Sequence, residues 1–93
     1  MKNVLWYLIA GTRGGITRGK IIVSIRKKPS NAHRIAKMLK LDYKTVTHHL
    51  NVLEKNNIIY ALNKGHYGAV YFVSEMFEGC EKEFDIIWNR LGK

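Results

Sequence analysis

Hydrophobic positions along this chain keep a helical rhythm over its middle third and a strand-like one after it. The clearest pattern lies between Asn31 and Asn57. Ile35, Ala36 and Leu39 fall at i, i+1 and i+4, one face of a short helix that Asn31 is placed to cap. After the break Lys40-Leu41-Asp42, residues Val46, Leu50 and Leu53 fall at i, i+4 and i+7, the apolar stripe of a second helix. Asp42 is its expected N-cap and Asn56-Asn57 its expected stop. Two helices joined through about three residues, with Leu41 in the corner, predict a helix-turn-helix over 31–57.

Before this motif, Val4-Leu5-Trp6-Tyr7-Leu8-Ile9 is apolar all round, which suits a short buried helix or a strand. Gly11 and Gly14-Gly15 then punctuate a loop. Thr17 is expected to cap a helix reaching about Lys27, with Ile21, Ile22 and Ile25 turned inward and Pro29 closing it off. Beyond Asn57, the runs Ile58 to Leu62 and Ala69 to Val73 are β-branched and aromatic. Residues Asn63 to Gly68 between them form a polar tip with two glycines, so the expectation is a β-hairpin. Ser74 opens a last helix, in which Phe77, Cys80, Phe84, Ile87, Trp88 and Leu91 make a long stripe near heptad spacing. The predicted fold is α+β and mostly helical. It has an N-terminal apolar segment (1–12), a trihelical core (17–57), a hairpin (58–73) and a C-terminal helix (74–92), all in one domain over 1–93.

The C-terminal stripe carries two Phe and a Trp, more apolar cover than a trihelical core needs. It therefore reads as a two-fold dimer interface shared with the N-terminal segment: Leu5, Trp6 and Leu8 with Phe77, Cys80, Phe84, Ile87, Trp88 and Leu91. The other reading is a helix that packs back on its own domain.

Composition sharpens the picture at one point, which is charge. The chain has 93 residues and a formal charge of +9. Residues 11–64 hold twelve Lys or Arg against Asp42 and Glu54, while residues 65–93 hold three bases against five acids. Cation is thus concentrated on the helix-turn-helix half, where a polyanion would dock. Opposite its apolar stripe, the second motif helix presents Lys44, His48, Asn51 and Lys55, flanked by Tyr43 and Thr47. These groups can meet base edges in a major groove, or simply face solvent. Arg13 and Arg18 beside the glycine loop are phosphate contacts or plain solvated bases, and the backbone N–H groups of Ser30 and Asn31 can hold a phosphate.

Several classes fall away. Seven apolar residues at Val4 to Ala10 are far short of the ~20 that span a bilayer, and no cleavage site follows them. A lone Cys80 allows no intrachain disulfide and points to a reducing cytoplasm. No phosphate loop precedes a helix and no nucleophile elbow appears, so the chain is not expected to be an enzyme or to carry a cofactor.

Three runs, GTRGGITR at Gly11 to Arg18, PSNAHRIAKML at Pro29 to Leu39 and LDYKTVTHHLNVLEKNNII at Leu41 to Ile59, resemble the winged helix-turn-helix of ArsR-like transcriptional regulators, particularly their short archaeal type. The resemblance covers roughly residues 5 to 73. It implies sequence-specific double-stranded DNA binding by a homodimer, with the hairpin as wing. On that footing Tyr43, Lys44, Thr45, Thr47, His48 and Asn51 are the expected base readers. Arg13, Arg18, Lys28, Ser30, Asn31, Arg34, Lys37, Lys64 and His66 are the expected phosphate and wing contacts. Many of these regulators sense metals, but the paired cysteines that such sensors carry on the recognition region are missing here. His48 and His49 are adjacent and point about 100° apart, so no metal is expected. The rival function is a winged-helix interaction module that binds protein or RNA in a larger assembly.

Overall fold

A computed structural model of the chain describes residues 1–64 and 68–93. The apolar N-terminus is helical: α1 (Lys2–Leu5) runs straight into a π-helical turn, Trp6–Ala10. The strand alternative for this segment therefore falls. The first core helix, α2 (Gly15–Lys27), starts two residues before Thr17, with Gly14 as N-cap. Thr17 is inside the helix and caps nothing, because the chain turns in earlier, where Gly15 sits hard against the carbonyl of Ile9. A Cβ on Gly15 would lie 1.8 Å from that oxygen, so only glycine fits.

The helix-turn-helix is α3 (Ala32–Leu39) and α4 (Tyr43–Lys55). Asn31 caps the first, its side chain accepting from the Arg34 N–H at 2.9 Å, and Asp42 caps the second, accepting from Lys44 N–H at 3.1 Å. Lys40 takes the left-handed conformation, φ 57°, which lets the chain reverse between them. The wing follows as β2 (Ile59–Leu62) and β3 (Val70–Val73), antiparallel, with Ile59 opposite Val73 and Leu62 opposite Val70. A third strand, β1 (Ser30–Asn31), pairs with β3 on its other side and places β3 in the middle of the sheet. Two residues carry no readable period, which is why the sequence pattern predicts only a hairpin.

The C-terminal helix is broken. α5 (Glu75–Glu78) is capped by the Ser74 hydroxyl, and α6 (Glu81–Arg90) starts afresh after Gly79 and Cys80. Its direction is the main correction to the sequence reading. Phe77, Phe84 and Ile87 are fully buried within this one chain, and so are Leu5 and, nearly, Leu8. They pack in one cluster with Ile21, Ile22, Ile35, Leu50 and Leu53. None of these five can serve as a subunit contact, because their surface is already covered. The stripe folds back on its own trihelical core, and the N-terminal segment fills the gap between them. Polar contacts fix this docking: the Trp6 indole N–H donates to Glu83, Lys2 lies 3.8 Å from the same carboxylate, and Arg90 sits over the Trp6 ring. Trp88 is also drawn inward, stacking on Phe84 and lying against Gly19, where a Cβ would meet its ring at 2.0 Å. Trp6, Cys80, Trp88 and Leu91 keep part of their surface outside.

Candidate nucleic-acid interface

α4 is positioned by its apolar side. Val46, Leu50 and Leu53 are wholly buried, facing α2, α3 and the first wing strand. Burying three such side chains contributes about 1.5–3 kcal/mol each, enough to hold the helix in one rotation. That rotation sends Tyr43, Lys44, Thr45, His48 and Asn51 into solvent, with Thr47 half-covered beside them. The outward ridge is open, and it begins at the helix-turn-helix corner.

Two of these side chains are already partly engaged. Tyr43 stacks on His33 from α3, ring centroids 4.3 Å apart and nearly parallel, so the aromatic bridges the first turns of both motif helices. The Thr47 hydroxyl donates to the Lys44 carbonyl at 3.0 Å, which leaves its lone pairs and methyl to face outward. Lys44, His48 and Asn51 carry no such tie to backbone or acid among the described residues.

Arg13, Lys28, Arg34 and Lys37 are all exposed, Arg34 and Lys37 on α3, the partner helix of the motif. Lys64 at the start of the wing loop is exposed too, but it forms an ion pair with Glu54 at 2.7 Å, and that hydrogen bond raises its pKa. A phosphate there would have to displace a carboxylate. His66, the other wing residue, lies outside the described residues.

Two expected phosphate contacts are corrected. Ser30 is buried, its hydroxyl donating to the Lys28 carbonyl and its backbone paired opposite Tyr71 in the sheet, so it cannot meet a phosphate. Arg18 is buried at 6% exposure. Its Nε donates to the Leu8 carbonyl at 3.0 Å, one terminal nitrogen donates to the Thr12 hydroxyl, and the other lies 3.2 Å from His49 Nδ1. Guanidinium has no lone pair to accept with, so His49 Nδ1 must be the acceptor and the imidazole is neutral with its proton on Nε2. Burial first, then the Arg18 charge and His48, lower the His49 pKa and keep it neutral. Desolvation likewise lowers the Arg18 pKa, although a guanidinium stays charged regardless.

This Arg18–His49 link ties the N-terminal segment, α2 and the recognition helix together. The sequence reading misses this link, although one signal points to it. Arg18 stands three and four residues before Ile21 and Ile22, on the same inward face as Ile25. Its partner His49, at the edge of the α4 stripe, is turned inward and buried, and it meets the guanidinium there. Among the described residues no three His, Cys, Asp or Glu gather closely enough to hold a metal ion. None of the described helices is long and apolar enough to cross a membrane.

Comparison with known proteins agrees with this geometry. Residues 16–61 match the family model described as bacterial regulatory protein, arsR family. No curated protein gives a significant match. Among solved structures the chain is similar to Lactococcus lactis ZitR in complex with DNA, at TM-score 0.64 and 20% identity, covering 80% of this chain and 52% of that one. It is similar to reduced YodB, a transcriptional regulator from B. subtilis, at TM-score 0.68 and 20% identity over 87% of this chain and 79% of that one. It is also similar to apo MarR from E. coli, at TM-score 0.69 and 17% identity over 92% and 67%. The chain spans only about half of ZitR and 61% of the regulator SlyA. At these identities the likeness speaks for the winged-helix fold.

Proposed function

We propose that this chain, which carries the helix-turn-helix of the arsR family of bacterial regulatory proteins over residues 16–61, is a sequence-specific double-stranded DNA-binding transcriptional regulator acting in the cytoplasm. One observation supports this above the rest: the outward ridge of α4 is open while its other side is fully buried. α4 enters the major groove, with Lys44, Thr45, His48 and Asn51 toward base edges and Thr47 and Tyr43 at the flank. Arg13, Lys28, Arg34, Lys37 and Lys64 hold the phosphates, and the Asn31-capped start of α3 lies toward the backbone. ZitR, of the same fold, has been seen in complex with DNA, which favours this arrangement.

Gel-shift titration tests it. Five cations per chain should make duplex binding fall by about a hundredfold or more between about 50 and 200 mM salt. If single-stranded RNA competes better than duplex at equal salt, the interaction-module reading takes its place.

The regulator acts as a homodimer in this reading, but through a different set of residues from the buried stripe. Tyr7, Met76 and Ile86 are large apolar side chains left 65%, 56% and 46% exposed on the N- and C-terminal helices. With the outer edges of Trp6 and Leu91 they supply the subunit contact. Two recognition helices related by a two-fold axis then read half-sites ~10 or ~20 bp apart.

A further inference from the structure

Lys20, Val23, Ser24 and Lys27 fall at i, i+3, i+4 and i+7 on α2, so they share one face of that helix. They form the floor of a groove of about 330 Å³, whose walls are Met38 and Leu39 from α3 and Trp88 from α6, with Lys28 at one end. This volume lies within the ~300–1,000 Å³ common for small-molecule sites. The shape is built in: the Trp88 indole can lie against α2 only because residue 19 is glycine.

The chemistry of the lining is uneven. Its walls are almost wholly apolar, and they include Met38, which is otherwise left 57% exposed. Its cations are three lysines, and no carboxylate lines it. The ion pairs among the described residues are Lys2–Glu83, Arg26–Asp85 and Lys64–Glu54, so none of the three groove lysines has an acid partner there. On the floor, the buried Ser24 hydroxyl finds only the Met38 thioether at 3.9 Å, a weak acceptor. An apolar trough edged by unpaired cations complements an apolar body with an anionic end. A nucleic-acid backbone has no apolar body to fill it.

We infer that this groove binds a small organic acid with an apolar body. The carboxylate sits among Lys20, Lys27 and Lys28, the hydrocarbon or ring lies over Val23, Met38 and Leu39 against Trp88, and the Ser24 hydroxyl turns toward the anion. The site lies off the recognition ridge, sharing only Lys28 with the proposed phosphate contacts, and its occupancy can be measured without DNA.

Octanoate, with octan-1-ol as neutral control, probes it in the full-length chain. Octanoate should change tryptophan emission saturably at or below ~1 mM and raise the melting temperature. Octan-1-ol should bind at least ~tenfold more weakly. The double variant Lys20→Glu/Lys27→Glu, altered only at exposed positions, should lose octanoate binding by ~tenfold or more while melting as the wild type does without ligand. Trp88→Phe should lose the emission change but keep the thermal shift. The inference is overturned by absence of saturable octanoate binding, by equal binding of the alcohol, or by unchanged affinity in the double variant. It is overturned equally if that variant, by sedimentation, splits a dimer, because the groove is then a subunit contact.

Discussion

Two helices of this chain carry apolar stripes of similar spacing, and they have opposite uses. In α4, the stripe of Val46, Leu50 and Leu53 is buried and the polar side is left open as a ridge. Over α5 and α6, the stripe of Phe77, Phe84 and Ile87 is buried just as completely, although it reads in sequence as a surface reserved for a second subunit. Periodicity establishes that a face is covered. It does not say what covers it. For α4 the cover is sequence-local, since α3 lies three residues away across the corner. For the C-terminal helices the cover comes from the opposite end of the chain, where Leu5, Leu8 and Ile9 are apolar on every side and need a neighbour themselves.

The largest effect that separates the two regions is on stability. Phe84→Ala removes a ring packed edge-on to Phe77, stacked on Trp88 and covered by Arg26. It should cost about 3–5 kcal/mol by urea unfolding, and the loss should not vary with protein concentration. Ile86→Glu with Tyr7→Glu, both on the outside, should leave unfolding of the monomer nearly unchanged and abolish the dimer in sedimentation. If Phe84→Ala acts only through a concentration-dependent midpoint, the stripe is intermolecular after all. If the outer pair leaves the dimer intact, the subunit contact lies elsewhere.

The helix-turn-helix was legible because each signal is short-range: Asn31 and Asp42 cap, Leu41 fills the corner, and the stripes repeat within thirteen residues. The wing was legible from its β-branched runs. The strand Ser30–Asn31 was not, because its only reason to be a strand is the free edge of Val70-Tyr71 some forty residues later. Arg18 was misread for a related reason. Charge type suggested solvent or phosphate, whereas its position on the Ile21–Ile22–Ile25 face suggested burial, and position won because the Leu8 carbonyl, Thr12 and His49 satisfy its donors. Cations can be assigned to a DNA surface only after their helical face has been checked.

That distinction gives the next test. Arg18→Ala leaves His49 Nδ1 without its donor and the Leu8 carbonyl with the Thr12 hydroxyl alone, and should destabilise the fold by about 1–3 kcal/mol. Duplex affinity of the folded fraction should fall little. Lys44→Ala and His48→Ala should do the reverse: near-wild-type unfolding, with preference at particular base pairs relaxed by about 1–3 kcal/mol. Arg34→Ala should weaken all sequences alike and reduce the salt slope by about one. If Arg18→Ala keeps full stability and loses DNA binding at every sequence, the buried assignment is wrong.

The smallest effect concerns His49, the titrating group on the buried side of α4. His49 belongs to the recognition helix but faces inward, and burial, the Arg18 charge and His48 together lower its pKa below the usual 6.5. In the unfolded chain the imidazole returns to about 6.5, so between that value and its lower folded pKa the unfolded state binds the extra proton. Stability therefore holds in full above about pH 6.5 and drains away as pH falls through that window; the sign is the one expected of a base kept neutral by folding. Protonation would also place a cation against the Arg18 guanidinium and remove the acceptor of its hydrogen bond. Other groups titrate nearby, so the readout is a difference: urea midpoints at about pH 7.5 and about pH 5.5 for wild type and for His49→Gln, whose amide oxygen can still accept from Arg18. Wild type should lose more stability on acidification than the Gln variant. Parallel losses in the two proteins would mean that the imidazole protonates in the folded state as freely as in water, and that the link between α2 and α4 is not sensitive to its charge.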